Sequence, residues 1–168
     1  MATTPKTCTL VLGLSAAHAD GCSVGEPVIG QLRDDWQFSP ALDLIDAPAC
    51  VEALTGHLDR ADSVLIVAAV ESALPSGRIT EFDGAELGRL FEALTAVNQT
   101  DLVLALAIAS WQNRLPDNLS MIALQYPRSG SAPTAEQIDE LLFAAVRRLE
   151  SWGHAAWRFA PIGVRRRA

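Results

Sequence analysis

The chain has 168 residues, 49% hydrophobic and 20% charged, with a formal net charge of −7, which favours one domain with an ordinary core. The acidic balance argues against nucleic acid or anionic lipid as a generic partner, and the longest apolar candidate, residues 102–111, is about half the roughly 20 residues a membrane helix needs. Three cysteines (Cys8, Cys22 and Cys50) without a secreted-domain spacing point to free thiols and a cytoplasmic compartment.

The opening "MATTPKTCTLVLGL" has one Lys, a short apolar run and no small-residue cleavage site, so it reads as the approach to a first strand and not as a signal peptide. Residues 8–14 form a continuous hydrophobic run, the pattern of a parallel strand buried on both faces. The loop that follows carries His18, Asp20, Cys22 and Glu26 where α/β proteins usually place their chemistry. Residues 24–35 read as a helix, with Pro27 tolerable only in its first turn. "PALDLID" is a second strand, and residues 49–62 a second helix with Val51, Leu54 and Leu58 on one face. "SVLIVAAV" (63–70) is the strongest strand and the expected sheet centre.

"LPSG" is turn chemistry, and residues 78–82 alternate as a short edge strand. Asp83 is the expected N-cap of a helix burying Leu87, Leu90, Phe91 and Leu94. A further helix over 101–113 is expected to pack Leu104, Ile108 and Trp111. Residues 119–127 are another strand. Thr134 and Gln137 form a capping box before a last helix with Ile138, Leu141, Leu142, Ala145, Leu149 and Trp152 on one stripe. Residues 155–168 read as a basic, flexible tail. Short connections between alternating strands and helices predict a three-layer αβα fold. Its sheet is mostly parallel and twisted, with about five strands and helices on both faces, forming a single domain over residues 1–168.

Several segments resemble the nickel–iron hydrogenase maturation endopeptidases. "LVLGL", a loop and then "VG" are similar to that family's opening, in which the strand ends in Gly-x-Gly-Asn and the loop holds an acidic pair. "LDLIDAPACVEAL" sits where the family has a strand, Asp-Gly-Gly-Thr-x-Gly and a helix. "LDRADSVLIVAAVESALPSGRITEFDGAEL" is the most specific match: Ala-Asp, a strand ending in Asp-Ala, a loop, Pro-Gly, another strand and a helix. "LVLALAIASWQNRLPDNLSMIALQYP" matches the next helix, the Leu-Pro turn and the last strand.

The resemblance implies an endopeptidase that removes a C-terminal extension from the hydrogenase large subunit after nickel insertion. Such an enzyme holds metal through a Glu of the first loop, an Asp at the end of the central strand and a His before the penultimate helix. Carried over residue by residue, those positions are Cys22, Ala68 and Asn98. The first loop's Gly-Asn becomes Ser15-Ala16, and only Asp46, Gly13 and Gly25 keep the motif's residue type. A methyl group in place of a carboxylate removes both oxygen donors and the charge.

Other residues at the same loops are candidates for a replacement site. His18, Cys22 and Cys50 are a zinc-type donor set, or a polar loop with two incidental thiols, since no Cys-x-x-Cys or His-x-x-x-His spacing joins them. Glu71, three residues past Ala68 in the loop expected after the central strand, either reaches back in place of the missing Asp or is a solvated carboxylate. Asn98 either hydrogen-bonds a substrate peptide or turns the chain at "NQTD". His57 and His154 read as surface residues away from the strand ends. No Gly-x-Ser-x-Gly elbow and no Gly-x-Gly-x-x-Gly fingerprint is present. The terminal "RRR" is either a solvated tail or a contact for an acidic partner.

Two readings follow. In the first, the chain has lost the nickel-ligand set, needs no cofactor and acts as a non-catalytic accessory or binding protein in hydrogenase maturation. Its partner is a hydrogenase large subunit or an assembly factor, met through the edge that carries Asp46 and Cys50. In the second, it is a divergent endopeptidase that trims the C-terminus of the large subunit, with nickel or zinc held by recruits from His18, Asp20, Cys22, Cys50 and Glu71. Neither involves nucleic acid or a membrane.

Overall fold

A computed structural model describes residues 8–15, 24–48, 50–71, 77–84, 100–126 and 132–159. In chain order the elements are β1 (Thr9–Ser15), α1 (Gly25–Asp35), β2 (Trp36–Ser39), β3 (Asp43–Pro48), α2 (Val51–Leu58), β4 (Ser63–Glu71) and β5 (Ile79–Asp83). They are followed by α3 (Thr100–Trp111), β6 (Asn118–Tyr126), α4 (Ala135–Ser151) and β7 (Ala155–Arg158). The continuous apolar runs become the middle of the sheet. Its order is β3-β1-β4-β6-β5, parallel throughout except for the edge strand β5. β4 is central, as its β-branched run predicts, and Val64, Leu65, Ile66 and Val67 are fully buried. Burial of each such side chain is worth about 1.5–3 kcal/mol.

Period-2 alternation sends Leu12, Leu14, Ile66 and Ala68 to one face and Val11, Leu65 and Val67 to the other. α2 and α3 cover the first face through Leu54, Leu58, Leu102 and Leu106. α1 and α4 cover the second through Val28, Ile29, Leu32, Leu141 and Leu142. This is the expected three-layer arrangement. The chain leaves β1 for β3 on one side and leaves β3 for β4 on the other. The order therefore reverses between β1 and β4, and the carboxyl ends of these strands flank the crevice where open α/β sheets place ligands.

Local signals translate directly. Pro27 lies in the first turn of α1, where no intrahelical N–H is needed. Thr134 accepts from the Gln137 N–H at 3.2 Å, and the Gln137 side chain accepts from the Thr134 N–H at 3.0 Å, closing the capping box. Gly77, at the end of the predicted turn, has φ +85°, a conformation that suits glycine.

Three expectations are corrected, and one falls outside the described residues. α3 does not bury Leu104, Ile108 and Trp111. Its buried stripe is Leu102, Ala105, Leu106 and Ala109, leaving Leu104 47% and Trp111 85% exposed. A helix that is apolar all round has no amphipathic phase to read, and the sheet chose the stripe with the smaller side chains. Residues 155–158, expected in the flexible tail, instead form β7, antiparallel to a strand β2 that the sequence reading lacked. Asp83 ends β5 and pairs with Arg148 at 2.9 Å, and most of the helix expected after it lies outside the described residues.

His154 is the third correction. It is 8% exposed, not a surface residue. Its Nδ1 lies 2.9 Å from the Pro40 carbonyl and its Nε2 2.9 Å from the Thr9 hydroxyl. With Nδ1–H donating to the carbonyl, Nε2 accepts from Thr9, so one ring ties the end of α4 to the start of β1 and the approach to β3. Replacing His154 by Ala leaves the carbonyl and the hydroxyl short of a partner. It is expected to lower unfolding free energy by about 1–3 kcal/mol, read as a reduced urea midpoint at unchanged slope.

Candidate active site

Of the positions the resemblance marks, Gly13, Asp46 and Ala68 lie toward the carboxyl ends of the parallel strands, and a glycine contact sets α1 against β1 there. A Cβ on Gly13 would lie 2.6 Å from Ile29 Cγ1 and 2.8 Å from Gly25 Cα, and one on Gly25 would lie 2.5 Å from the Gly13 carbonyl carbon. Helix α1 therefore begins in backbone contact with β1, two residues before that strand ends. These are the two glycines the sequence comparison singled out, and their role is close approach, not turn geometry.

Register then separates the candidates. Gly13 pairs with Asp46 on β3 and with Val67 on β4. On β3, Leu44 packs into the α1/α4 layer and Ile45 into the α2/α3 layer. Asp46 follows Leu44's face by alternation and is exposed. It stands in the row of the Gly13–Gly25 contact, where α1 presents its N-terminal end, a favourable position for a carboxylate. Ala68 lies on the opposite face of the sheet, in the α2/α3 layer, and is 3% exposed.

Cys50 is the N-cap residue of α2, with an exposed free thiol. Because α2 covers Ala68's face of the sheet, Cys50 and Ala68 share a layer while Asp46 does not. Glu71 is the last residue of β4, opposite Tyr126, and not a loop residue as expected. His18, Cys22 and Asn98 lie outside the described residues.

Of the three positions that the resemblance assigns to ligands, Ala68 is thus the one described, and it does not fit a metal. It offers no donor atom and its methyl is part of an apolar cluster containing Leu14, Val70 and Ala123. Among the described residues, no group of three His, Cys, Asp or Glu side chains comes together that could hold a metal ion.

Titratable groups elsewhere are held in structural roles. The Cys8 thiol, at the opposite end of β1, lies 3.2 Å from Asp43 Oδ2. Burial first, and then the Asp43 hydrogen bond, push its pKa up and away from thiolate. His57, on α2, is held below its usual range by burial and then by the Arg60 charge. Arg60 Nη2 lies 3.1 Å from His57 Nδ1. Arg148 bridges Glu81 at 3.0 Å and Asp83 at 2.9 Å, fixing α4 to the edge strand. Sequence reasoning missed that bridge and the His154 tie, since neither leaves a local pattern.

The family described as "HycI: Hydrogenase maturation protease" matches residues 27–151. No curated protein matches the sequence. The hydrogenase maturating endopeptidase HybD of E. coli superposes with a TM-score of 0.75 at 20% identity, covering 90% of this chain and 98% of that one. A solution structure of an endopeptidase from Escherichia coli gives 0.76 at 20% identity, with the same coverage. The [NiFe] hydrogenase maturation protease HybD of Thermococcus kodakarensis gives 0.58 at 18% identity over 87% of this chain and 99% of that one. At these identities the structural likeness concerns the fold.

Proposed function

This chain belongs to the hydrogenase maturation protease family, and from that premise we propose that it is a member without the nickel-ligand set. In this reading it is a non-catalytic accessory or binding protein of nickel–iron hydrogenase maturation. It works in the cytoplasm, and its partner is a hydrogenase large subunit or an assembly factor. Among the described residues, no helix is long and apolar enough to cross a membrane.

The observation that supports the reading is Ala68. At the position where the family's resemblance calls for an Asp, this chain has a methyl that is 3% exposed inside the α2/α3 layer. No rotation of a neighbouring loop gives that position a donor. Asp46, the motif carboxylate that remains, faces the other layer and is exposed, which suits it to hold a partner's backbone N–H or basic side chain. Cys50 would meet the partner from the start of α2.

The test is direct. Purified protein titrated calorimetrically with nickel, zinc or cadmium is expected to give no stoichiometric binding. Mixed with a hydrogenase large-subunit precursor, it is expected to leave the C-terminal extension intact while co-eluting with the precursor. Cleavage of the extension would overturn the reading. So would stoichiometric metal binding that disappears in Cys22→Ser or His18→Ala.

A further inference from the structure

At the end of the sheet away from Gly13 and Asp46, a cleft of about 380 Å³ opens between the last turn of α4 and the start of β6. Trp152, the C-cap of α4, forms one wall, and Leu115 with the buried Pro116 forms the other. Trp152 packs against the α1/α4 layer and Leu115 against the α2/α3 layer, so the cleft crosses the sheet end from layer to layer. Between these walls, Gly84 lets the chain leaving β5 lie close against β6. An added Cβ there would stand 3.2 Å from the Leu119 carbonyl oxygen and 3.3 Å from the Leu119 Cβ.

The charge balance of the cleft is negative. Arg148 lines it, but Nη1 pairs with Asp83 at 2.9 Å and Nη2 with Glu81 at 3.0 Å. Two carboxylates on one guanidinium leave a net negative charge. Asp117 on the rim adds another; it is exposed and has no hydrogen-bond or ion-pair partner among the described residues. The C-terminal end of α4 contributes the negative pole of its dipole beside Trp152.

We propose that this cleft binds a guanidinium carried on a short alkyl stem. The stem lies along the apolar walls, and the head meets Trp152 and the carboxylates of Asp83 and Asp117. A guanidinium is planar and weakly hydrated, stacks on aromatic faces and meets carboxylates through parallel N–H donors. A compact ammonium holds its water more strongly and gains less from the indole. An anion finds no unneutralised cation here, since Arg148 is already shared by two carboxylates. The same chemistry arrives either as a small free guanidine or as an arginine side chain of a partner. The site stands apart from Asp46, Cys50 and Ala68, so it holds whether or not the chain cuts a substrate or binds metal.

The experiment is an NMR titration of the full ¹⁵N-labelled chain with 1-butylguanidine. It is expected to shift the Trp152 indole N–H and the amides of residues 117–119, saturating with a Kd on the order of 1 mM and weakening with salt. 1-Butylurea, of the same shape without the charge, should leave those signals in place at about 10 mM. Asp117→Asn should weaken binding about threefold and Asp117→Lys about tenfold, with the fold intact because the side chain is exposed and unpaired. Asp34→Lys, the same charge change at an exposed position of α1, should leave the Kd unchanged. Trp152→Leu should weaken binding about threefold through the lost ring face. Acetyl-Gly-Arg-Gly-amide separates the two sources. Tighter binding of the peptide assigns the arginine side chain of a partner, and tighter binding of the butyl compound assigns a free guanidine. Shifts scattered over the acidic surface, equal binding of the urea, or an Asp117→Lys chain that binds like the wild type would each overturn the proposal.

Discussion

Gly25→Ala is expected to lower the stability of the fold by about 3 kcal/mol or more, with Gly13→Ala close behind. A Cβ on Gly25 would meet the Gly13 carbonyl carbon at 2.5 Å, the Leu14 nitrogen at 2.7 Å and the Gly13 oxygen at 2.9 Å, all of them backbone. No rotamer change relieves such contacts, so α1 must lift off β1. Gly13 has one softer neighbour, Ile29 Cγ1 at 2.6 Å, but Gly25 Cα and O also stand at 2.8 Å. Lifting α1 opens the layer formed by Val11, Val24, Val28 and Leu32, all fully buried. For a chain of this size the loss corresponds to a Tm lower by about 6–12 °C, read by circular dichroism. Gly30→Ala is the control. Nothing lies within 4 Å of its added Cβ, and removing a helical glycine should raise stability by up to ~1 kcal/mol. A Gly25→Ala protein that melts with the wild type would mean that α1 does not rest on the strand.

The parts of this fold that were legible in the sequence are those whose signal is local or doubly redundant. β1, β4 and β6 are buried on both faces, so Leu10–Leu12, Val64–Ala68 and Met121–Leu124 are apolar at consecutive positions and need no phase. The α4 capping box is complete within four residues. The failures share a different cause. α3 is apolar on every side, and the choice between the Leu102/Leu106 stripe and the Leu104/Trp111 stripe was made by the sheet beneath it. β2 follows α1 with no turn residue between Asp35 and Trp36, and its pairing partner β7 begins more than a hundred residues later. His154 gave no sign of burial, because its partners are a distant carbonyl and a distant hydroxyl. At the site, the run "SVLIVAAV" announces that position 68 is buried. Only the register reveals that Asp46 and Ala68 face opposite layers.

That separation gives the position 68 test its force. Ala68→Asp alone is expected to destabilise the protein by about 3 kcal/mol at neutral pH, because it places an unpaired carboxylate in an apolar layer. The sign with pH is fixed by linkage. Burial raises the folded-state pKa of the new carboxyl above its unfolded value of about 3.9, so in the interval between the two the native state binds more protons than the unfolded one. The loss relative to wild type is therefore smallest below about pH 4, where only the packing and burial of the neutral carboxyl remain. It grows as pH rises through the interval, then levels off above the folded pKa. Adding Cys22→Glu and Asn98→His supplies the other two family donors. The triple variant should then regain about 2.7 kcal/mol at nickel or cadmium concentrations a hundredfold above its Kd, while the single variant gains nothing. A folded triple variant that ignores metal would show that Cys22, Ala68 and Asn98 do not correspond to the family's ligands. A single variant as stable as wild type at pH 7 would show that the Ala68 methyl is not enclosed in the α2/α3 layer, and the reading of a lost ligand there would lose its footing.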